Sequence, residues 1–424
     1  MLLPLLVATV ACPSIPIRVE PRRERSRYVL DVRIARPFRS VSGDVTVTFT
    51  PTQPTDHLVF RLWPNGPAQL RAGSRLVAGP VTSAGAALQV ARPDPTTLTV
   101  RLGRTLAPGA HVTVHVPWRL RIPSTHNDRI ARFRDGVRLG TFFPLLAWDA
   151  RRGWLTDPPT RILAESAATP AADFDVRVHA PRGLRILATG SEVGGGHFRA
   201  RAVRDVALAV GPFRVSSAPG RVKVRVAFTG SSGVASTALA LAGAALQELS
   251  KRYGAYPWSS YTLVFPPDLP PSGIEYPTLS FIGGRRYLPL LIDHETAHQW
   301  FYSLVGNNQA RDPWLDETLA TWAQERLGAR EPPTRGAPPA GATRHVGAPM
   351  SYWDRQGGWY NYGVYGAGVA ALHSLGNDAA VDCAVRRYVA RRAYAIAQPG
   401  DLLDELNRVI PGAERRLRAW GIRR

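Results

Sequence analysis

Two histidines and one glutamate have the residue types and the spacing that could bind a single metal ion. His294 and His298 are four residues apart in the run HETAH, so on a helix both imidazoles would lie on one face. Glu317 follows His298 with 18 residues between them and could return on a second helix as a third ligand. Neutral imidazoles suit zinc, and a catalytic zinc has three protein ligands and an open position for water. The spacing therefore predicts a site for one Zn²⁺ ion.

Glu295 lies between the two histidines and is not needed as a ligand. Zinc lowers the pKa of its bound water toward about 7 and polarises a carbonyl group. Glu295 could take a proton from that water and give it to a leaving amine, which is the chemistry of amide hydrolysis. The negative oxygen of the tetrahedral intermediate needs a second donor, and a tyrosine hydroxyl would serve. The candidates are Tyr360, Tyr362 and Tyr365, in the run WYNYGVYGAG.

These motifs resemble the aminopeptidase N family of zinc metallopeptidases, the gluzincin aminopeptidases, in which HExxH is followed 18 residues later by Glu. The run PSGIEYPTLSFIGG places Glu275 19 residues before His294 and resembles the GxMEN or GGMEYP stretch of that family. The run VYGAGVAAL, residues 364–372, resembles the family stretch VYxKGAxxL. The runs HLVFRLWPNGP, GTFFPLLAWD and RDVALAVGPF resemble the β domain of compact bacterial two-domain members.

The resemblance implies roles for individual residues. Glu275 would bind the free α-amino group of the substrate, and the backbone beside Gly273 would flank the scissile carbonyl. Tyr365 would be the family's tyrosine, with Tyr362 as the second choice. Phe142 and Phe143 are candidates, by position, for the walls of a specificity pocket.

The implied function is that of a zinc-dependent aminopeptidase acting on peptides with a free N-terminus. Two alternatives stay open: an endopeptidase or oligopeptidase with the same zinc chemistry, and a catalytically silent peptide-binding surface protein. Rejection of N-acetylated peptides would separate an aminopeptidase from an endopeptidase. The oligomeric state cannot be derived from the sequence.

The elements that must position these residues change type near residue 217. Seven segments before that point consist of five to eight residues that either alternate between apolar and polar or are continuously apolar. This pattern predicts strands. We therefore expect an all-β N-terminal domain over residues 13–217, folded as an antiparallel β-sandwich or saddle-shaped sheet. The segments are YVLDVRIA, DVTVTFT, HLVFRLW, LTVRLG, HVTVHVPW, FDVRVHA and DVALAVG.

Residues 218–424 mix strand and helix periods, and the resemblance implies a thermolysin-like α+β, mainly helical catalytic domain without a further C-terminal helical domain. A Pro/Gly-rich loop is predicted at residues 329–350. Strands are predicted at 221–228, 261–266 and 278–284, and helices at 234–253, 288–305, 313–327 and from about Asp401 to Trp420.

The first residues, MLLPLLVATVA, form an apolar run that ends at Cys12. The run is too short to span a bilayer and resembles the apolar part of a secretion signal. We expect residues 1–12 to be a signal or lipoprotein signal segment of an exported, extracellular or cell-envelope protein, with Cys12 as the candidate lipid attachment site. The alternative is a buried N-terminal strand. Cys383 is expected on a helix, so no intrachain disulfide is predicted.

The composition is that of an ordinary globular chain with an unusual charge. The 424 residues are 45% hydrophobic and 20% charged, which excludes a disordered chain. Runs of about 18 apolar residues are absent, which excludes a polytopic membrane protein. The net charge is +21, and only Lys223 and Lys251 of the 53 basic residues are lysines. The arginines are spread along the chain without interleaved aromatics, so no specific nucleic-acid binding is expected.

Overall fold

The computed structural model describes most of the chain as two successive regions, one built of strands and one mainly of helices. The predicted signal segment, apart from Cys12, lies outside the described residues. In the described part, no helix combines the length and the apolar character that a membrane crossing requires. The described residues are 12–123, 129–162, 168–230, 233–328 and 339–424.

The first region contains the predicted strands and several shorter ones. A 3₁₀ turn at Trp63–Asn65 and one short helix, α1 (Pro67–Ala72), interrupt them. The strands are β1 (Arg27–Ile34), β2 (Ser40–Phe49), β3 (Thr55–Arg61), β4 (Arg75–Ala78), β5 (Thr82–Ser83), β6 (Ala86–Ala87), β7 (Val90–Asp94), β8 (Thr97–Leu106), β9 (Val112–Arg121), β10 (Ile130–Phe133), β11 (Gly136–Gly140), β12 (Leu145–Leu146), β13 (Trp148–Asp149), β14 (Gly153–Trp154), β15 (Ala172–His179), β16 (Arg185–Ala188), β17 (Ser191–Gly194), β18 (His197–Val203), β19 (Ala207–Gly211) and β20 (Arg214–Ala218).

Apolar and polar side chains alternate along these strands, and the apolar ones form a core between two sheets. In β2 the side chains of Val41, Val45, Val47 and Phe49 are buried, whereas Ser42 faces solvent. The larger sheet has the order β17-β18-β15-β1-β2-β9-β5-β6, with β4 also on β9, and the smaller has the order β12-β3-β8-β7. Apolar side chains of both sheets share one core. The all-β region is confirmed, but β1 pairs with β15 in parallel, so the sheet is not purely antiparallel.

A third sheet, with the order β10-β11-β19-β16, joins the first region to the second. Ala207 and Ala209 of this sheet pack in one apolar cluster with Ile274, Tyr276 and Phe281 of the second region. The contact is close enough that a Cβ at Gly140 would overlap the Tyr276 ring. The contact brings the N-terminal end of β10 and the C-terminal end of β11 to the strand that carries Glu275.

The second region surrounds a five-stranded sheet with helices. The sheet has the order β20-β21-β22-β24-β23, in which β23 is an antiparallel edge strand. A π-helix at Asn361–Ala367 precedes α7, and a 3₁₀ turn at Arg418–Trp420 follows α10. The elements are β21 (Lys223–Phe228), α2 (Ala235–Tyr253), β22 (Ser260–Phe265), β23 (Gly273–Tyr276), β24 (Leu279–Ile282), α3 (Leu288–Ala297), β25 (Gly306–Asn307), α4 (Trp314–Arg326), α5 (Ala340–Thr343), α6 (Met350–Trp353), α7 (Gly368–His373), α8 (Asp378–Arg392), β26 (Ile396–Ala397), α9 (Pro399–Val409) and α10 (Ala413–Leu417).

Three of the predicted elements differ from the structure. Helix α3 ends at Ala297 rather than at residue 305, because the chain folds back and Tyr302 has φ 116°. The predicted last helix is two helices, α9 and α10, because Gly412 after Pro411 adopts φ 77°. Of the predicted loop at 329–350, residues 329–338 lie outside the description, and Val346 in the remainder is fully buried.

A disulfide joins Cys12 to Cys383 on α8, with the two Cα atoms 5.8 Å apart. The prediction that no disulfide forms was wrong, because the segment after Cys12 runs back along α8, where the backbone N–H of Val19 donates to the Ala390 carbonyl at 3.1 Å. The buried Arg387 of α8 donates to the carbonyl of Ser14 in the same segment. A sulfur in this bond cannot also carry a lipid, so the disulfide and the expected lipid attachment at Cys12 are mutually exclusive states of this residue.

Candidate metal centre

Helices α3 and α4 bring the three predicted ligands together. His294 is in the last turn of α3, His298 follows the end of that helix, and Glu317 is in the first turn of α4. The two Nε2 atoms are 3.1 Å apart, and Oε2 of Glu317 is 3.2 Å and 3.3 Å from them. Ligand atoms bonded at about 2.0–2.1 Å to a tetrahedral zinc lie about 3.3 Å from one another. The three buried atoms therefore have the spacing of a single zinc ion's ligands.

The opposite nitrogen of each imidazole is held by a hydrogen bond. Nδ1 of His294 lies 3.0 Å from the amide oxygen of Gln324. Nδ1 of His298 lies 2.8 Å from Oδ1 of Asp316, whose Oδ2 accepts from the Gln309 amide at 2.6 Å. When Nδ1 donates in this way, Nε2 keeps its lone pair and faces the ion. The outer contacts therefore select the tautomer that zinc needs.

The start of α4 is a favourable place for acidic side chains. Asp316 and Glu317 lie in its first turn, where the helix dipole favours negative charge. Burial alone would raise the pKa of Glu317, but the charges and hydrogen bonds of His298 and His294 outweigh it and hold that pKa below its usual value. Glu317 is therefore kept as the anionic ligand that a cation requires.

Glu295 is buried beside the ligands without joining them. Its Oε2 atom has no hydrogen-bond partner among the described residues. Burial raises the pKa of Glu295 to about 8. A carboxylate with an unused oxygen and a raised pKa is suited to accept a proton from water. Gly273 lies directly against this carboxylate, since a Cβ there would overlap it.

Glu275 lies on the edge strand β23 and is 3% exposed. Its Oε1 atom has no hydrogen-bond partner among the described residues. A ligand atom of Glu275 lies within 4.8 Å of those of Glu295 and His298, so it is next to the metal centre. A buried carboxylate oxygen without a donor is costly unless a ligand supplies one. An ammonium group would supply the missing hydrogen-bond donor.

Of the three candidate tyrosines, Tyr365 is placed nearest to the ligands. It lies on the π-helix, and its ring stacks on His294 with the centroids 5.7 Å apart. Burial and the charge of Glu317 raise the pKa of Tyr365, so its hydroxyl stays protonated and can donate. Tyr360 packs edge-on against Tyr365 at 5.7 Å, and Tyr362 is outside the lining of the cavity.

A cavity of about 270 Å³ opens over the metal centre and contains all seven predicted site residues in its lining. Arg129 and Ile162 of the first region also line it, and neither was predicted from the sequence. No local motif marks Arg129, because arginines occur along the whole chain. Phe142 and Phe143 do not line the cavity: both are 0% exposed in the core of the first region, so the prediction of pocket walls was wrong.

Comparison with known proteins gives two kinds of similarity. No protein-family model matches the chain. Aminopeptidase RNPEPL1 of Mus musculus is 41% identical over 96 residues, and aminopeptidase B of Rattus norvegicus is 40% identical over 83 residues. The matched segments cover 20% and 18% of this chain and 13% of each relative. The chain thus matches only a small part of the length of these curated relatives.

Solved structures match nearly the whole chain. The M1 zinc metallopeptidase from Deinococcus radiodurans superposes with a TM-score of 0.64 at 21% identity, covering 96% of this chain and 95% of that one. A mutant of the same protein bound to a Tyr-Ser-Ala substrate gives the same values. The fold is therefore that of the two-domain M1 zinc metallopeptidases, as the sequence predicted.

Proposed function

We propose that this protein is a zinc-dependent aminopeptidase that removes the first residue from peptides with a free N-terminus. The observation that carries the proposal is the buried Oε1 atom of Glu275, which accepts no hydrogen bond from the described residues and lies next to the metal centre. The local similarity to aminopeptidases and the M1 zinc metallopeptidase fold support the same activity.

Different residues of the chain would perform different steps of amide hydrolysis. A zinc ion held by His294, His298 and Glu317 would supply a water of lowered pKa and polarise the carbonyl. Glu295 takes the proton from the attacking water and passes it to the leaving amine. The Tyr365 hydroxyl donates to the oxygen on which negative charge develops.

Glu275 would bind the substrate by its free N-terminal amino group. Its Oε1 atom, to which no described residue donates a hydrogen bond, accepts from the α-ammonium group, and this contact fixes the first peptide bond over Glu295. A peptide that lacks the free amine leaves that oxygen buried and unpaired, which is costly. Glu275 therefore favours an aminopeptidase over an endopeptidase with the same zinc chemistry. The presence of all the residues of the reaction argues against a silent binding protein.

The test compares free and N-acetylated aminoacyl coumarin amides, together with the zinc content of the purified protein. We expect one zinc per chain and cleavage of the free substrates only. Glu295→Gln should keep zinc and lose activity by about 10²–10⁴-fold, because it removes the proton carrier. Glu275→Gln should raise KM for free amines. Glu192→Gln, at an exposed position on β17, is the matched control and should behave as wild type.

Each outcome identifies which part of the proposal fails. Cleavage of N-acetylated substrates at the same rate would replace the aminopeptidase by an endopeptidase. Full activity of Glu295→Gln would overturn the assigned proton carrier. Zinc binding without cleavage of any peptide would favour the catalytically silent binding protein.

We also propose that the protein is exported. Disulfides form and persist in oxidising compartments, and the bond between Cys12 and Cys383 is the observation that supports export. The apolar run before Cys12 resembles a secretion signal. Mass spectrometry of protein from the native host should show a Cys12–Cys383 cross-linked peptide in the exported fraction. Free thiols at Cys12 and Cys383 in protein from a cytoplasmic fraction would contradict this proposal, whereas a lipid on Cys12 would exclude the disulfide and leave export standing.

A further inference from the structure

Arg129 belongs to the first region of the chain, yet its side chain reaches the cavity of the metal centre. It directly precedes β10, and its guanidinium is held in place from several sides. Nη1 donates to the hydroxyl of Tyr276 at 3.2 Å. The guanidinium carbon lies 5.5 Å from the centroid of the Trp63 ring and 5.8 Å from that of the Tyr276 ring. Arg129 is 4% exposed, so its charge is little screened by water.

The nearest acidic group in the cavity is Glu275. Nη2 of Arg129 is 3.8 Å from Oε1 of Glu275, which is an ion-pair distance but too long for a hydrogen bond. That oxygen therefore stays available for a donor from the substrate. Asp205 also acts on Arg129, but its oxygens already accept from the Thr141 hydroxyl and the Val206 backbone N–H, both at 2.6 Å. The positive charge of Arg129 is thus fixed next to the subsite where Glu275 would bind an amine.

We infer that Arg129 sets the charge preference for the first residue of the substrate, so that neutral and acidic side chains are accepted over basic ones. The inference rests on the proposed function. If the α-amine binds Glu275, the first side chain branches from the next atom of the substrate and lies within a few ångströms of Arg129. Coulomb attraction then favours a carboxylate at that position and repels an ammonium or guanidinium. The class of substrate is a peptide that begins with a neutral or acidic residue.

Substrate pairs of equal size and different charge test this inference on the zinc-loaded enzyme. The pairs are glutamyl and glutaminyl coumarin amides, and lysyl and norleucyl coumarin amides. Wild type should cleave the norleucyl substrate with a kcat/KM about tenfold above the lysyl substrate. In Arg129→Gln the glutamyl-to-glutaminyl ratio of kcat/KM should fall about tenfold, and the lysyl-to-norleucyl ratio should rise. Arg129→Lys keeps the charge and should keep the direction of both preferences.

Arg138→Gln is the matched control. Arg138 is a buried arginine of the neighbouring strand β11, and its ion pair is with Asp268, outside the lining of the cavity. This variant should lower stability and leave both ratios at the wild-type value. A purely structural role for Arg129 would change stability and leave the ratios unchanged, because each ratio compares two substrates on one enzyme.

The outcomes separate this inference from the proposed function. Cleavage with ratios unchanged in Arg129→Gln, or a wild type that prefers the lysyl substrate, would overturn the role of Arg129 and leave the aminopeptidase intact. If Arg129→Gln does not fold, the wild-type measurement still tests the inference, because a preference for the lysyl substrate overturns it. An enzyme that cleaves no substrate would overturn the proposed function, and this inference with it.

Discussion

Strand β2 and helix α4 both contribute buried side chains, but they differ in the polarity of what they bury. The buried face of β2 is apolar, and its solvent-facing positions are polar or charged. Helix α4 buries charged and polar residues alongside its apolar ones, among them Asp316, Glu317, Thr318, Thr321 and Gln324. Apolar burial stabilises a fold wherever it occurs, whereas a buried carboxylate needs a specific partner. The polar side chains of α4 therefore indicate a function, and the alternation of β2 indicates only a core.

The partners of the polar side chains in α4 support this distinction. Asp316 and Gln324 each hold one imidazole of the metal centre, and Glu317 contacts both imidazoles. Thr318 donates to the backbone carbonyl of Val364 in the π-helix that carries Tyr365. These contacts set the geometry of the site rather than add apolar burial. Variants of the two elements should accordingly change different quantities.

The largest effect is expected when a metal ligand of α4 is removed. Glu317→Ala should lower activity by at least about 10⁴-fold, because proton transfer from the bound water is lost together with the metal. Zinc affinity should fall by more than the roughly 100-fold that outer contacts contribute. Elemental analysis after dialysis against a chelator and the coumarin assay measure both. Wild-type zinc content in this variant would show that Glu317 is not a ligand. The functional interpretation of the polar side chains in α4 would then be wrong.

A truncation in β2 should change stability and leave the metal centre as it is. Phe49 is 1% exposed and packs against Trp148 and Trp154, with ring centroids 5.4 Å and 5.2 Å away. Phe49→Ala should lower the free energy of unfolding by about 3–5 kcal/mol, measured by denaturant titration. The folded variant should retain zinc and kcat. Ser42→Ala on the exposed face of the same strand is the control, with a change within about 0.5 kcal/mol.

The smallest effect is expected when the hydrogen-bond partner of a ligand imidazole is changed. Asp316→Asn keeps the size of the side chain but removes the charge that orients His298. Zinc affinity should fall about 10–100-fold, measured by competition with a chromogenic chelator. Asp354→Asn, at a partly exposed position whose carboxylate accepts backbone N–H groups, is the control and should retain wild-type zinc affinity. An unchanged affinity in Asp316→Asn would mean that the imidazole is positioned by the Phe301 carbonyl alone.

The metal centre could be predicted from the sequence because helix geometry fixes its spacing. Residues four apart on α3 must share a face, and the run from His298 to Glu317 is long enough for α4 to return to them. The strands could be predicted because alternation follows directly from burial on one face. The end of α3 could not be predicted, because it depends on a reversal of the chain after Ala297. This reversal brings the Phe301 carbonyl within 2.9 Å of Nδ1 of His298.

Contacts between distant parts of the chain could not be predicted from the sequence. Arg129 reaches Tyr276 across 147 positions, and its neighbours in sequence carry no motif. Cys12 and Cys383 are separated by 371 positions, and neither lies in a pattern that indicates a partner. The prediction of pocket walls at Phe142 and Phe143 was wrong because position along the chain does not distinguish a side chain of the core from one that lines a cavity. Tertiary packing, within the first region for the two phenylalanines and between distant segments for the other residues, decides all of these positions.

The bond between Cys12 and Cys383 also changes the topology of the molecule. It closes residues 12–383 into a covalent ring, and residues 384–424 follow outside the ring. A single proteolytic cut anywhere inside that ring would not release a fragment. The two pieces would migrate together on a gel until a reductant separates them.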